Sequence, residues 1–390
     1  MSWSATLAAL ESTHTLLNAL AEDVDEPALR AQHHPDLSPL GWHLGHCVYI
    51  ECLWLHERVG GDDRVTAPLA ELYTPPHTPK PQRGRLLPPR DALLEWSRSL
   101  QALNRDWLAN LQPPLSDHAL FADGYLPLFL LQHHSQHYET MLMVLTERAL
   151  AAHPEPPVIA EPLQGQPPAR ATRRVPAGRY RIGGERPEAF DNELPAHHAE
   201  LAPFDIAARP VSNAEYLGFM EAGGYDDPRW WTEAGWAWRR ASGCVAPNHW
   251  RRDANGHWYG VGMYGVGVHG ARPLAPDEPV LGLNHFEATA YAAWAGARLP
   301  HEYQWEAACR LGLLEHTGRA WEWCANTFHP YEGFEHFPYP EYSTPWFDGN
   351  HFVLRGASRY TRPAVKRPSF RNFYEPDKRH IFAGLRLVYP

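Results

Sequence analysis

The chain has 390 residues, 44% of them hydrophobic and 21% charged, which excludes wholesale disorder and supplies core for two or three domains. Its 35 basic and 45 acidic residues give a formal charge of −10. No cationic excess is left to neutralise phosphates, so a nucleic-acid binder is excluded. Histidine is abundant, with 24 residues, which directs attention to a metal or acid–base site.

Five cysteines, an odd number without CxxC spacing, argue against a disulfide framework or a zinc ribbon and point to a reducing cytoplasm. The N-terminus lacks a basic region followed by an apolar run, so no signal peptide is expected. No stretch approaches the ~18 to 20 apolar residues of a membrane span. The expectation is a soluble, cytoplasmic protein with no nucleic-acid or membrane partner. The sequence sets no oligomeric state.

In chain order, four helices are predicted in residues 1–150. The first runs from Ser2 to Ala21, with Leu7, Leu10, Leu16, Leu17 and Leu20 on one stripe. A second opens at Ser38-Pro39, read as an N-cap and a first-turn proline, and carries Trp42, His46, Tyr49 and Leu53. The third starts near Pro89, and the fourth runs from Leu126 to Leu150. Four helices with one long connection, residues 60–88, predict a bundle. Residues 151–172 contain six prolines and read as an extended, semi-rigid linker. Residues 173–390 predict an irregular α+β domain. It has amphipathic helices over Pro210–Gly223 and Asn284–Gly296, short strands such as Arg179–Ile182 and His351–Leu354, and long loops between them.

The sharpest chemical signal lies in the fourth helix. His133 and His137 are four apart, so they project from one face and can share a metal ion. The second helix adds His43 and His46, three apart. Bundle metal sites draw on facing helices, so a third ligand from the second helix completes a three-histidine set with open positions. His46 is the better choice, because its stripe of Tyr49, Ile50 and Leu53 is apolar. His43 and His134 are spares off that face. Against this stands coincidence, since so many histidines generate i,i+4 pairs by chance. Three imidazoles suit zinc, iron, nickel or copper on ligand grounds alone.

The segments LGWHLGH and HHSQHYETML resemble the metal-binding half of the ergothioneine-pathway sulfoxide synthases. RLPHEYQWEAACR, GRAWEWCANTFHPYEGF, VLRGASRYTRP and FRNFYEPDKRHIFAGLRLV resemble the formylglycine-generating-enzyme-like (C-type-lectin-like) domain that follows a DinB-type bundle in those enzymes. The resemblance spans nearly the whole chain. It implies an α+β protein of two domains, a DinB-like four-helix bundle and a formylglycine-generating-enzyme-like domain. It further implies Fe(2+) held by His46, His133 and His137, O2 as co-substrate, and bond formation at the imidazole ring carbon of hercynine. By the same resemblance Gln136 contacts the hercynine imidazole and Asn372 its amino-acid end, while Lys80 and Arg83 in KPQRG bind the donor's carboxylates. A quaternary ammonium group needs aromatic faces, for which Phe373, Tyr374 and Tyr339 are the nearest candidates. Cysteines placed like the copper site of formylglycine-generating enzymes are missing, so that activity is not expected.

Two positions depart from the sulfoxide synthase pattern. Phe337 stands where the family has its catalytic tyrosine, and a phenyl ring cannot donate a proton. Tyr339, two residues on, is the substitute. Tyr374 stands where the family has an acidic residue. These changes, with the HLGH form of the first motif, resemble the sister group of selenoneine synthases, which couple a selenosugar to hercynine. The alternatives are a sulfoxide synthase using γ-glutamylcysteine or cysteine, which Lys80 and Arg83 would suit, and a DinB-type metal-dependent thiol transferase.

Overall fold

The computed structural model describes residues 2–265 and 268–389, apart from the side chains of 263–269. The chain forms two compact units. The first comprises Met1–Pro154 with Gly262–Gly270 and Arg362–Val365; the second comprises Glu155–Val261, Ala271–Thr361 and Lys366–Pro390.

The first unit is built on four helices, α1 (Trp3–Glu22), α2 (Leu40–Cys52), α3 (Arg90–Ala109) and α4 (Tyr125–Ala151). Helix α1 starts where the side chain of Ser2 accepts the Ala5 N–H. Helix α3 has one apolar stripe, with Leu93, Leu94 and Leu108 buried. Helices α2 and α4 are buried on nearly every face, so they form the interior of the bundle. Each of α1 and α2 packs on α3 and α4. Helix α2 continues as a wider π-helical stretch over Leu53–Val59.

One local expectation changes. Ser38 does not cap α2: Pro39 occupies the cap position, and the Ser38 hydroxyl accepts instead from the Arg83 guanidinium at 2.5 Å. The long connection 60–88 carries two short helices, Ala70–Tyr73 and Lys80–Leu86, and Tyr73 is buried.

The strands in chain order, all in the second unit except the end of β6 and the start of β7, are β1 (Thr172–Val175), β2 (Gly178–Ile182), β3 (His197–Leu201), β4 (Phe204–Ala207), β5 (Trp250–Arg252), β6 (Trp258–Gly265), β7 (Val268–Pro273), β8 (Trp321–Thr327), β9 (Phe352–Arg355), β10 (Asn372–Tyr374), β11 (Ala383–Gly384) and β12 (Val388–Tyr389). They pair in small sheets, of which β10-β9-β8-β11 and β1-β4-β12 frame the core. Three helices begin with reciprocal caps: α5 (Asn213–Glu221) with Ser212 and Glu215, α7 (His285–Trp294) with Asn284 and Glu287, and α8 (Glu302–Arg310) with His301 and Gln304. Between α5 and α7 lies α6 (Glu233–Ser242). The proline-rich stretch is docked: the Gln166 N–H donates to Ala214 at 2.9 Å, and an added Cβ on Gly218 would lie 2.1 Å from the Gln166 carbonyl oxygen.

Candidate metal centre and substrate strand

His46 projects from α2, and His133 and His137 project from α4 one turn apart. One ring nitrogen from each lies within 4.8 Å of the others. The ring centroids are 4.5 to 5.2 Å apart. Burial pushes all three imidazoles towards the neutral form, His46 down to about 4 and the other two well below the usual value, with neighbouring histidines adding to the effect on His133 and His137. Neutral imidazoles present lone pairs, so the set fits a first-row divalent ion.

Each ring is held from behind through Nδ1. His46 Nδ1 donates to the Tyr73 carbonyl at 2.7 Å, and the indole of Trp42 stacks on the ring at 4.6 Å. His137 Nδ1 faces His43 Nδ1 at 3.0 Å, and His133 Nδ1 faces His134 Nδ1 at 3.3 Å. Nδ1 is thereby occupied in all three, which leaves Nε2 for an ion. Gly45 is part of this arrangement, because an added Cβ would lie 2.3 Å from the Tyr73 ring.

Behind His134 lies a group that sequence reading did not single out. Glu51 is fully buried in α2 and pairs with His14 of α1; His134 Nε2 lies 2.8 Å from Glu51 Oε1. The Asn104 amide of α3 donates to Glu51 Oε2 at 2.9 Å. Burial pushes the Glu51 carboxyl up, but the pull of His14 and His134 outweighs it and holds the group below the usual carboxylate range. The available signal was polar residues on otherwise apolar stripes: His14, Glu51 and Asn104 each sit among core positions.

Gln136 is half-buried on α4, its amide near the Gln132 carbonyl at 3.4 Å. Lys80 opens the short helix Lys80–Leu86. Arg83 is buried: it donates to Thr78 at 2.9 Å, to Ser38 and to the Pro75 carbonyl, and lies 4.0 Å over the Trp42 ring. Much of its hydrogen-bonding capacity is spent inside the unit.

In the second unit Asn372, Phe373 and Tyr374 form β10, paired antiparallel with β9. The preceding Arg371 makes two bonds of 2.8 Å to Glu302 and donates to the Asn192 carbonyl at 2.7 Å. Arg355 donates to the same carboxylate at 2.6 Å. Burial pushes the Glu302 carboxyl up, yet the two guanidiniums hold it down at about 2. Phe373 stacks on Phe328 at 4.1 Å, so one of its faces belongs to the core. Tyr374 meets His380 edge-on at 5.9 Å. The Phe337 ring carries the Arg186 guanidinium at 3.8 Å. The Phe337 N–H points to Asp191 at 3.3 Å, and burial and that carboxylate push the Tyr339 phenol up.

Residues 9–141 match the DinB superfamily, and residues 160–317 and 310–390 match the sulfatase-modifying factor enzyme 1-like domain. The chain is therefore an α+β protein of two domains of those types. It is 34% identical to a hercynine oxygenase of Mycolicibacterium smegmatis across 94% of either chain. It is 28% identical to ergothioneine biosynthesis protein 1 of Schizosaccharomyces pombe over 51% of this chain and 27% of that one. A formylglycine-generating enzyme of Streptomyces coelicolor is 34% identical over 44% of this chain and 57% of its own. Among the described residues no helix is long and apolar enough to cross a membrane.

Proposed function

The chain belongs to the hercynine oxygenase family, and on that premise we propose that it is an iron- and O2-dependent enzyme forming a carbon–selenium bond at the imidazole ring carbon of hercynine. A selenosugar is the donor in this reading, which makes the protein a selenoneine synthase of the cytoplasm. The observation that carries the iron chemistry is the set of three convergent imidazoles held towards the neutral form, His46 and His133 buried and His137 half-buried.

Bound Fe(2+) would bring donor, imidazole and oxidant into one coordination sphere, replacing a three-body encounter by a local one. The residues of the chain supply the rest. The three histidines would hold the ion through their imidazole nitrogens. Gln136, beside His137 in sequence, orients the hercynine ring through its amide. Asn372 takes the amino-acid end, and Phe373, Tyr374 and Tyr339 offer aromatic faces to the trimethylammonium group. Lys80 meets the polar donor. Tyr339 is the phenol nearest in sequence to Phe337, and it is the proton donor in this reading.

A sulfur donor is the second reading, favoured by the names of the relatives and by the cationic Lys80. In that case the product is the sulfoxide formed from γ-glutamylcysteine or cysteine. Phe337 and Tyr374 favour selenium, because both replace groups of the sulfoxide synthase pattern. The test is anaerobic loading with Fe(2+), then oxygen and hercynine with a selenosugar, γ-glutamylcysteine or cysteine in separate reactions, with product masses read. A selenium adduct formed faster than either sulfur adduct supports the first reading. Sulfur adducts alone select the second, and zinc- or nickel-dependent thiol transfer without oxygen consumption would overturn both.

A further inference from the structure

Ligation through Nε2 requires the proton of a neutral imidazole to sit on Nδ1. For His46 the matter is closed, since the Tyr73 carbonyl can only accept. For His133 it is open at the first neighbour, because His134 Nδ1 can donate or accept. The decision falls to whatever fixes the proton of His134. Its other nitrogen, Nε2, lies 2.8 Å from the Glu51 carboxylate, an ion-pair contact rather than a linear hydrogen bond. A carboxylate draws the proton to Nε2, which leaves Nδ1 of His134 as an acceptor and forces Nδ1–H on His133.

His137 provides the contrast within the same site. Its Nδ1 faces His43, whose Nε2 is buried without a hydrogen-bond partner among the described residues. Among the described residues no carboxylate is paired with His43 as Glu51 is with His134. Glu51 itself is held in place by three elements, through His14 of α1, Asn104 of α3 and its own α2. A buried carboxylate with this many donors is preorganised, and its charge sits two imidazoles behind the proposed iron.

We propose that Glu51 is a positioning residue for the metal centre, acting through His134 to fix the tautomer of His133 and to raise its strength as a ligand. This rests on the three-histidine site being a metal site. Outer partners of this kind typically change metal affinity by about 10–100-fold.

The test is Co(2+) titration of the metal-free full chain and of the Glu51→Gln and His134→Phe variants, with the visible d–d spectrum recorded and circular dichroism reporting the fold. The expected result is a 10–100-fold weaker affinity and a shifted spectrum in each folded variant. Wild-type affinity and spectrum in either folded variant would overturn the proposal. A readout that needs no variant is NMR of the 15N-histidine-labelled wild type loaded with Zn(2+). Protons on His133 Nδ1 and His134 Nε2 are expected, and a proton on His134 Nδ1 overturns it. Two Co(2+) ions per chain, one of them lost in Glu51→Gln, would make His14, Glu51 and His134 a second ion site instead. A wild type that binds no Co(2+) removes the metal-site reading itself, and the two failures are thereby told apart.

Discussion

The Nδ1 of His46 lies 2.7 Å from the carbonyl oxygen of Tyr73, and the glycine one residue before His46 is what lets Tyr73 come that close. An alanine Cβ at position 45 would sit 2.3 Å from the Tyr73 ring, and that ring is buried. Gly45→Ala is therefore expected to cost roughly 1–3 kcal/mol of stability by overpacking. It should also weaken Co(2+) binding, because the carbonyl is carried off with the ring. Calorimetric unfolding and metal titration of the same sample check both.

His137→Ala removes one of three ligands and should abolish iron binding and turnover. The second unit draws its core from its own residues and should stay folded, as its near-ultraviolet circular dichroism will report. Iron content and turnover that survive the substitution would remove His137 from the site.

Arg371→Leu leaves Glu302 with one guanidinium partner in a buried setting. The expected loss is about 3–5 kcal/mol, the usual cost of breaking a buried ion pair from one side. Urea unfolding measures it. A loss below about 1 kcal/mol would place the pair in the class of weakly contributing surface contacts.

The second unit should weaken in acid. Burial lowers His285 to about 4 and His249 to about 3, against an ordinary value of 6.5 in the unfolded chain. Between those values the unfolded state binds more protons, so stability falls as pH drops from 6.5 towards 3 to 4 and is fully present above 6.5. Each histidine contributes a slope of at most about 1.4 kcal/mol per pH unit. Glu302, depressed to about 2, adds a loss that begins only below the ordinary 4.5. Thermal unfolding followed at pH 4.5, 5.5, 6.5 and 7.5 should show a midpoint flat across the upper pair and falling below it.

If Phe337 marks the missing phenol, Phe337→Tyr should restore a proton donor there. Sulfur coupling is then expected to rise by about 10-fold or more relative to selenium coupling, within the usual reach of a positioned acid. An unchanged product ratio, measured by mass with both donors present, would separate donor choice from this position.

Much of the bundle was legible because its helices advertise themselves: the leucines of α1 and the stripe of α3 repeat at helical spacing. His133 and His137 were legible for the same reason, being one turn apart on a helix. Long-range relations were not. Glu51 and His14 are separated by 37 residues, and Glu51 and Asn104 by 53, so no local pattern joins them. Ser38 misled because its sequence neighbour is proline, whereas its real partner, Arg83, lies 45 residues on. The grouping of Arg362–Val365 with the first unit is a tertiary fact of the same kind.

The double clamp on Glu302 bears on how such a protein can change its repertoire. Arg371 fixes the start of β10 from inside the core, and backbone pairing with β9 fixes the rest. Beyond the 3.0 Å bond that Asn372 Oδ1 accepts from the Phe373 N–H, these anchors lie outside the side chains of Asn372 and Tyr374. Those positions are interchangeable fittings on a permanent mount. In the proposed reading, a tyrosine at 374 would alter what the strand offers a substrate while the scaffold keeps its shape, so that a change of donor would need a single substitution and no rebuilding of the domain.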